Sequence, residues 1–248
     1  MSYREGDACK LPLDTWFHIN LDALWDRTHL YRYMWLRKHI LPPPCRILDV
    51  GTGNGNVLCW TIGDFVNTGC EPILPVEGHE LVGVDIREKH REDWRAWLPG
   101  SNFWTMDVSS QPWPFSNNYF DNVVMAEVME HMEECDWPHV LSEAWRVCAG
   151  QVLTTLPMDL WEGGIGDTLR YLNRGSTVDD HKFRPNPADL KDLVDKYMPG
   201  HVLLEIRPIY HYLATEENKK KYVADPQSQT DMGFIYVRVI KKKWWASE

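Results

Sequence analysis

Apolar positions along this chain alternate between two rhythms: short continuous runs, and stretches spaced by three or four residues. Between residues 19 and 40, Leu21, Leu24, Trp25, Thr28, Tyr31 and Trp35 keep the second rhythm, which places them on one face of a helix. LPPPC (41–45) ends that helix, because proline withdraws an amide donor and pushes the residue before it to extended backbone. A helix of this kind either packs on the core or covers a pocket.

RILDV (46–50) is a short apolar strand, followed by the turn GTGNG and a helical stretch from about Asn54 to Val66. ELVGVD (80–85), NFWTMD (102–107) and FDNVVMA (120–126) read as further buried strands. Asp136 and Pro138 open a helix that carries Val140, Leu141, Ala144 and Trp145 and stops near Gly150. QVLTTLP (151–157) is the fifth strand, and the long mixed stretch after it, to residue 185, has the character of a functional loop. Asn186 as N-cap and Pro187 at the first helical position start a helix with Leu190, Leu193, Val194 and Tyr197 on one face. HVLLEIRPIY (201–210) and GFIYVRVI (233–240) form a closing hairpin. The order predicts an α/β fold: a doubly wound, seven-stranded, mostly parallel sheet with an antiparallel C-terminal hairpin strand. A single domain over 1–248 is expected, with a helical or lid segment at 1–43 and a loop insertion at 158–185.

Composition narrows the class. With 248 residues, 44% of them hydrophobic, the chain can build one full core. It has no run of about 18 apolar residues, and MSYREGDACKLPLD at the N-terminus lacks both an apolar signal core and a basic targeting pattern, so a cytoplasmic protein is expected. The cysteines Cys9, Cys45, Cys59, Cys70, Cys135 and Cys148 are scattered without a C-x-x-C pair, which speaks for buried thiols rather than a zinc ribbon or a disulfide framework. A net charge of −10 disfavours binding to a phosphate backbone, which needs Lys and Arg to displace counterions. The basic clusters ENKKKY (217–222) and IKKKWW (240–245) read as a solvated loop and the end of an edge strand.

The chemistry concentrates at two places. In ILDVGTGNG an acidic residue, Asp49, faces a turn with glycines at 51, 53 and 55, where backbone without Cβ can approach a ligand closely. The spacing is neither G-x-G-x-x-G nor a P-loop, since Asn56 and Leu58 stand where those patterns continue and no G-K-[ST] follows. A ligand with an ammonium group and a flat nucleoside suits it better than a pyrophosphate. The second place is AEVMEHMEEC (126–135), where Glu127, Glu130 and His131 share one face of a helical turn directly after the fourth strand.

ILDVGTGNG resembles motif I of the class I S-adenosylmethionine-dependent methyltransferases, and VGVDI, MDV and FDNVVMAEVMEH follow in that family's order over roughly residues 44 to 208. The resemblance implies S-adenosylmethionine as cofactor, with Asp49 and Gly51 near its methionine moiety and Gly53 and Gly55 as further cofactor-binding residues. It also implies Asp85 on the ribose hydroxyls, Ile86 against the adenine, and Asp107 with Val108 bounding the adenine amine. The bottom-up reading agrees for Asp85, because a carboxylate at a strand end beside a glycine turn accepts two hydroxyl hydrogen bonds. NTGCEPILPVEGHE (67–80) departs from the family as an insertion-like loop.

DNA-base methylation is disfavoured, since the turn after the fourth strand lacks [DNS]-P-P-[YFW] and no Pro-Cys nucleophile is present there. Glu127, Glu130 and His131 either hold Mg²⁺ or Mn²⁺, with His181 of DHKF as fourth ligand, or act without metal as catalytic acid/base groups with His131 as base. The E-x-x-E-H turn and a later His-x-Phe resemble two branches, the ubiquinone-biosynthesis-like O-methyltransferases and the small-RNA 3′-terminal 2′-O-methyltransferases. The acidity of the chain and the missing Trp after Phe183 favour the first, so O-methylation of a small-molecule hydroxyl is expected, with an RNA end or a non-catalytic cofactor-binding role as alternatives. Gly163, Gly164 and Gly166 are candidate loop hinges, and Trp161 and Tyr171 candidate acceptor contacts. Other histidines, among them His79, His90, His139 and His201, read as surface residues.

Overall fold

The structure, a computed structural model, describes residues 32–33, 35–62, 64–65, 72–73, 78–158, 182, 187–210 and 233–241. Strand β1 (Cys45–Val50) is followed by helix α1 (Asn56–Ile62), a short antiparallel pair β2 (Asp64–Phe65) and β3 (Pro72–Ile73), and β4 (His79–Asp85). Helix α2 (His90–Trp97), β5 (Asn102–Thr105) and β6 (Phe120–Ala126) come next. Two 3₁₀ turns, Met129–His131 and Glu134–Asp136, lead into α3 (Trp137–Val147) and β7 (Cys148–Met158). Helix α4 (Pro187–Tyr197) and strands β8 (Leu203–Tyr210) and β9 (Gly233–Ile240) complete the described chain.

The main sheet has seven strands in the order β5-β4-β1-β6-β7-β9-β8. All neighbours pair in parallel up to β7, and β9 runs antiparallel to both β7 and β8. This is the expected doubly wound sheet, with β9 inserted between β7 and β8. Because side chains alternate along a strand, Leu48 and Val50 of β1 face one hydrophobic cluster and Ile47 the other. The first lies under α3 and α4, which contribute Trp137, Leu141, Trp145, Leu190 and Val194. The second lies under Trp35 and Leu36, Leu58 of α1, Trp94 of α2 and the Leu98 that caps α2. Helical residues 35–39 therefore pack on the core, which answers the packing half of the lid-or-core alternative.

Several boundaries differ from those expected. Helix α1 stops at Ile62 rather than Val66, and the chain then enters β2, whose partner β3 lies inside the stretch read as an insertion loop. Gly150 does not stop α3 but lies within β7, where a Cβ would come 2.4 Å from the Asp121 carbonyl oxygen. Helix α2 escapes the apolar pattern because HREDWRAW carries few apolar residues, with Trp94 anchoring it to the core. Among the described residues no helix is long and apolar enough to cross a membrane. Most of loop 158–185, with Gly163, Gly164, Gly166, Trp161, Tyr171 and His181, lies outside the described residues, as do Asn186, most of the N-terminal helix and both basic clusters except Ile240 and Lys241.

Candidate active site

Loops at the carboxyl ends of parallel strands converge on one crevice, and here the ends of β1, β4, β5 and β6 meet. After β1 the chain turns through Gly51, Gly53 and Gly55 with φ of 66°, 54° and 89°, a region L side chains avoid. The Thr52 amide donates to the Val84 carbonyl at 3.0 Å and so ties the turn to β4. A Cβ on Gly51 would lie 2.1 Å from Val128 Cγ2, in the segment after β6. The glycine thus lets the two chemistry-bearing segments touch. Around Gly53 an added Cβ meets nothing within 4 Å, which leaves that backbone open to a ligand.

Asp85 ends β4 with its carboxylate oriented by two backbone amides: Gly53 N–H donates to Oδ2 and Arg87 N–H to Oδ1, each at 2.8 Å. Each oxygen keeps a further lone pair for a hydroxyl. Ile86 beside it is 64% exposed, an uncovered apolar wall. Beyond β5, Asp107 Oδ1 accepts from the Ser109 amide at 3.0 Å and its hydroxyl at 2.7 Å, and these bonds hold the carboxyl below its usual range. The Val108 carbonyl accepts from Trp113 Nε1 at 3.0 Å.

After β6, Glu127 takes φ 56°, and its amide donates to the Thr155 carbonyl at 3.0 Å. A left-handed non-glycine residue stores strain of about 1–3 kcal/mol and is held by its surroundings. Met129, 1% exposed, anchors the 3₁₀ turn in the core. That turn presents His131, whose side chain is 38% exposed, with Nε2 4.0 Å from the buried Glu130 Oε1. The Lys182 amide donates to the Glu130 carbonyl at 2.6 Å, and its ammonium pairs with Glu133 at 2.9 Å.

A cavity of about 490 Å³ runs between these segments. Gly51, Gly53, Asp85, Ile86, Asp107 and Val108 line it from the ends of β1, β4 and β5, and Glu127, Val128, His131, Met132 and Asp136 line it from the segment after β6, together with Lys182. The volume is that of a small-molecule site. A nucleoside fits it on three counts: the oriented Asp85 carboxylate for hydroxyls, the bare Ile86 wall for a flat ring, and the open backbone at Gly53.

Three sequence-derived site residues do not line this cavity. Asp49 is buried and accepts the Thr52 hydroxyl at 2.5 Å; burial pushes its carboxyl up to about 7, against the Thr52 bond and the Arg32 charge that act to lower it, with Asp85 adding to the rise. Gly55 serves packing, since a Cβ there would meet Trp94 at 2.9 Å. Glu130 sits behind His131. Among the described residues no group of three His, Cys, Asp or Glu could hold a metal ion. Glu127 Oε2 instead lies 3.6 Å from the Arg32 guanidinium, and His181 lies outside the described residues.

Sequence reasoning passed over His90, which lines the cavity from the start of α2. His79 is likewise no surface residue but half-buried, with Nδ1 2.9 Å from Cys45 Sγ. Thr52 and Arg32 were also missed; Thr52 had a signal in its place inside the glycine turn, whereas Arg32 is distant in sequence from everything it serves.

Residues 47–151 match the model of the methyltransferase domain family. Three solved structures illustrate the likeness. The Haloferax volcanii protein in complex with the Trm112 methyltransferase activator has a TM-score of 0.60 at 15% identity, over 92% of this chain and 97% of that one. An Archaeoglobus fulgidus S-adenosylmethionine-dependent methyltransferase gives 0.55 at 16%, over 92% and 99%. The Haemonchus contortus phosphoethanolamine N-methyltransferase 2, in complex with phosphomonomethylethanolamine and S-adenosylhomocysteine, gives 0.54 at 14%, over 94% and 61%. At these identities the likeness is one of fold. No curated protein matches the chain in sequence. Residues 47–151, less than half of the chain, are thus similar to a methyltransferase domain, and the chain shares the fold of solved S-adenosylmethionine-dependent methyltransferases. The matched segment starts in β1 and ends in β7, and so contains the glycine turn, Asp85, Asp107 and the turn after β6.

Proposed function

We propose that this chain methylates a hydroxyl group of a small-molecule acceptor. The observation that carries the reading is that His131 and Glu127 line the same cavity as Asp85, Ile86 and the glycine turn. S-adenosylmethionine, when bound, supplies a methyl group on a sulfonium sulfur. In the transfer the carbon–sulfur bond breaks as the carbon–oxygen bond forms, the sulfur keeps the electron pair, and the hydroxyl proton must leave. His131 takes that proton at Nε2, since its Nδ1 is buried, and Glu130 Oε1 lies 4.0 Å from that nitrogen, near enough for charge but beyond a hydrogen bond. Glu127 places a carboxylate charge at the same end of the cavity as Gly51. Asp85 holds the ribose hydroxyls, Ile86 packs on the adenine, and Asp107 with Val108 closes the adenine end. The small cavity and the acidic chain support a small molecule over an RNA end.

The test is methyl transfer from radiolabelled S-adenosylmethionine to a panel of catechols, phenols, sugars and short RNAs. Transfer to a small hydroxyl that falls at least about a hundredfold in His131→Ala supports the reading. Transfer confined to amines, or to RNA, contradicts it.

A further inference from the structure

Arg32 is 4% exposed and belongs to none of the motifs. It comes from the N-terminal helical segment, which polar side chains of the sheet grip at its end. The Leu41 amide donates to Asn122 Oδ1 of β6 at 3.2 Å, and Gln151 of β7 donates to the His39 carbonyl. Trp35 packs at a tilt against Tyr236 of β9 with ring centroids 5.0 Å apart. So anchored, the segment delivers a guanidinium 3.6 Å from Glu127 Oε2, the carboxylate of the strained residue in the cavity wall. The same cation acts on Asp49 near the end of β1, whose carboxylate also feels Asp85 of β4. Two carboxylates, Glu127 after β6 and Asp49 of β1, therefore share this buried guanidinium.

We propose that Arg32 is a positioning residue of the cofactor site, holding the Glu127 carboxylate in the cavity wall and balancing the acidic glycine-turn end. The site is then complete only with the N-terminal segment docked. Arginine suits the task because it stays charged at all working pH. The proposal rests on the reading of the cavity as an S-adenosylmethionine site.

Calorimetric titration of the full chain with S-adenosylmethionine tests it in a double-mutant cycle over Arg32→Gln and Glu127→Gln. At pH 7, Arg32→Gln is expected to weaken binding about tenfold, and the same change to cost less than about threefold once Glu127 is Gln. Arg32→Lys, which keeps the charge, is expected to recover most of the loss, and Arg32→Met serves where the Gln variant does not fold. Removing the cation also moves the pH midpoint of binding upward through Asp49, a shift that lost packing does not produce. No loss, an equal loss with and without Glu127, an unmoved midpoint, or a Lys variant as weak as Gln each overturns the proposal. Unchanged affinity in Asp85→Ala overturns the cofactor reading and the proposal with it; loss there with none in Arg32→Gln overturns the proposal alone.

Discussion

Asp49 shows how burial sets chemistry at a single residue. Its carboxyl is raised from 3.8 to about 7 chiefly by desolvation. Between those values the folded chain keeps a proton that the unfolded chain has lost, so this group's contribution to stability is full below about pH 4 and is lost as pH rises through about 7. Asp49→Asn, which carries no charge to bury, should therefore be more stable than wild type at pH 8 by roughly 1–3 kcal/mol and about equal at pH 4. Thermal melts at the two pH values check this, and equal melting shifts at both would contradict it. Glu130 makes a second residue-scale prediction. It lies behind His131 rather than in the cavity, so Glu130→Ala should leave S-adenosylmethionine affinity within about threefold while reducing methyl transfer by at least about tenfold; lost cofactor affinity would place it elsewhere. The motif residues Asp85, Ile86 and Val108 were legible because each follows or ends an apolar strand. Asp49 was legible as a motif member, but its seclusion from the cavity was not, since burial depends on Arg32 and Thr52 around it.

At the scale of elements, the glycine turn and the turn after β6 interlock. An added Cβ at Gly51 collides with Val128 at 2.1 Å and would also sit at φ 66°. Gly51→Ala should cost about 2–4 kcal/mol from overpacking and left-handed backbone, and Val128→Ala should recover the overpacking share when combined with it. Denaturant unfolding of the two single variants and the double measures the recovery; strictly additive losses would show that the two turns do not press on each other. The strands were legible from their apolar runs, and α3 and α4 from their spacing and prolines. Helix α2 was not, because it is held mainly through Trp94, whose burial is decided by Gly55 and Gly83 beneath it. Nor did the pattern distinguish the end of α1 from the β2–β3 pair, where a few residues pair locally across a loop.

The whole molecule brings its functional groups from distant parts of the chain to one edge of the sheet. Sequence order predicted that convergence for the strand-end loops, because a doubly wound sheet leaves its crevice there. It could not predict Arg32, whose approach to Glu127 is set by how the N-terminal segment packs across β6, β7 and β9. A net charge of −10 further predicts that RNA binds no more than weakly and that the cofactor, which carries a cation, is attracted at long range. The central claim is that the cavity at the ends of β1, β4 and β6 is an S-adenosylmethionine site with Asp85 as its ribose anchor. Calorimetric titration of wild type and Asp85→Ala with S-adenosylmethionine tests it most directly. The predicted result is one site per chain in wild type and a loss of at least about a hundredfold in the variant; equal affinity in the two, or no binding by wild type, would contradict it.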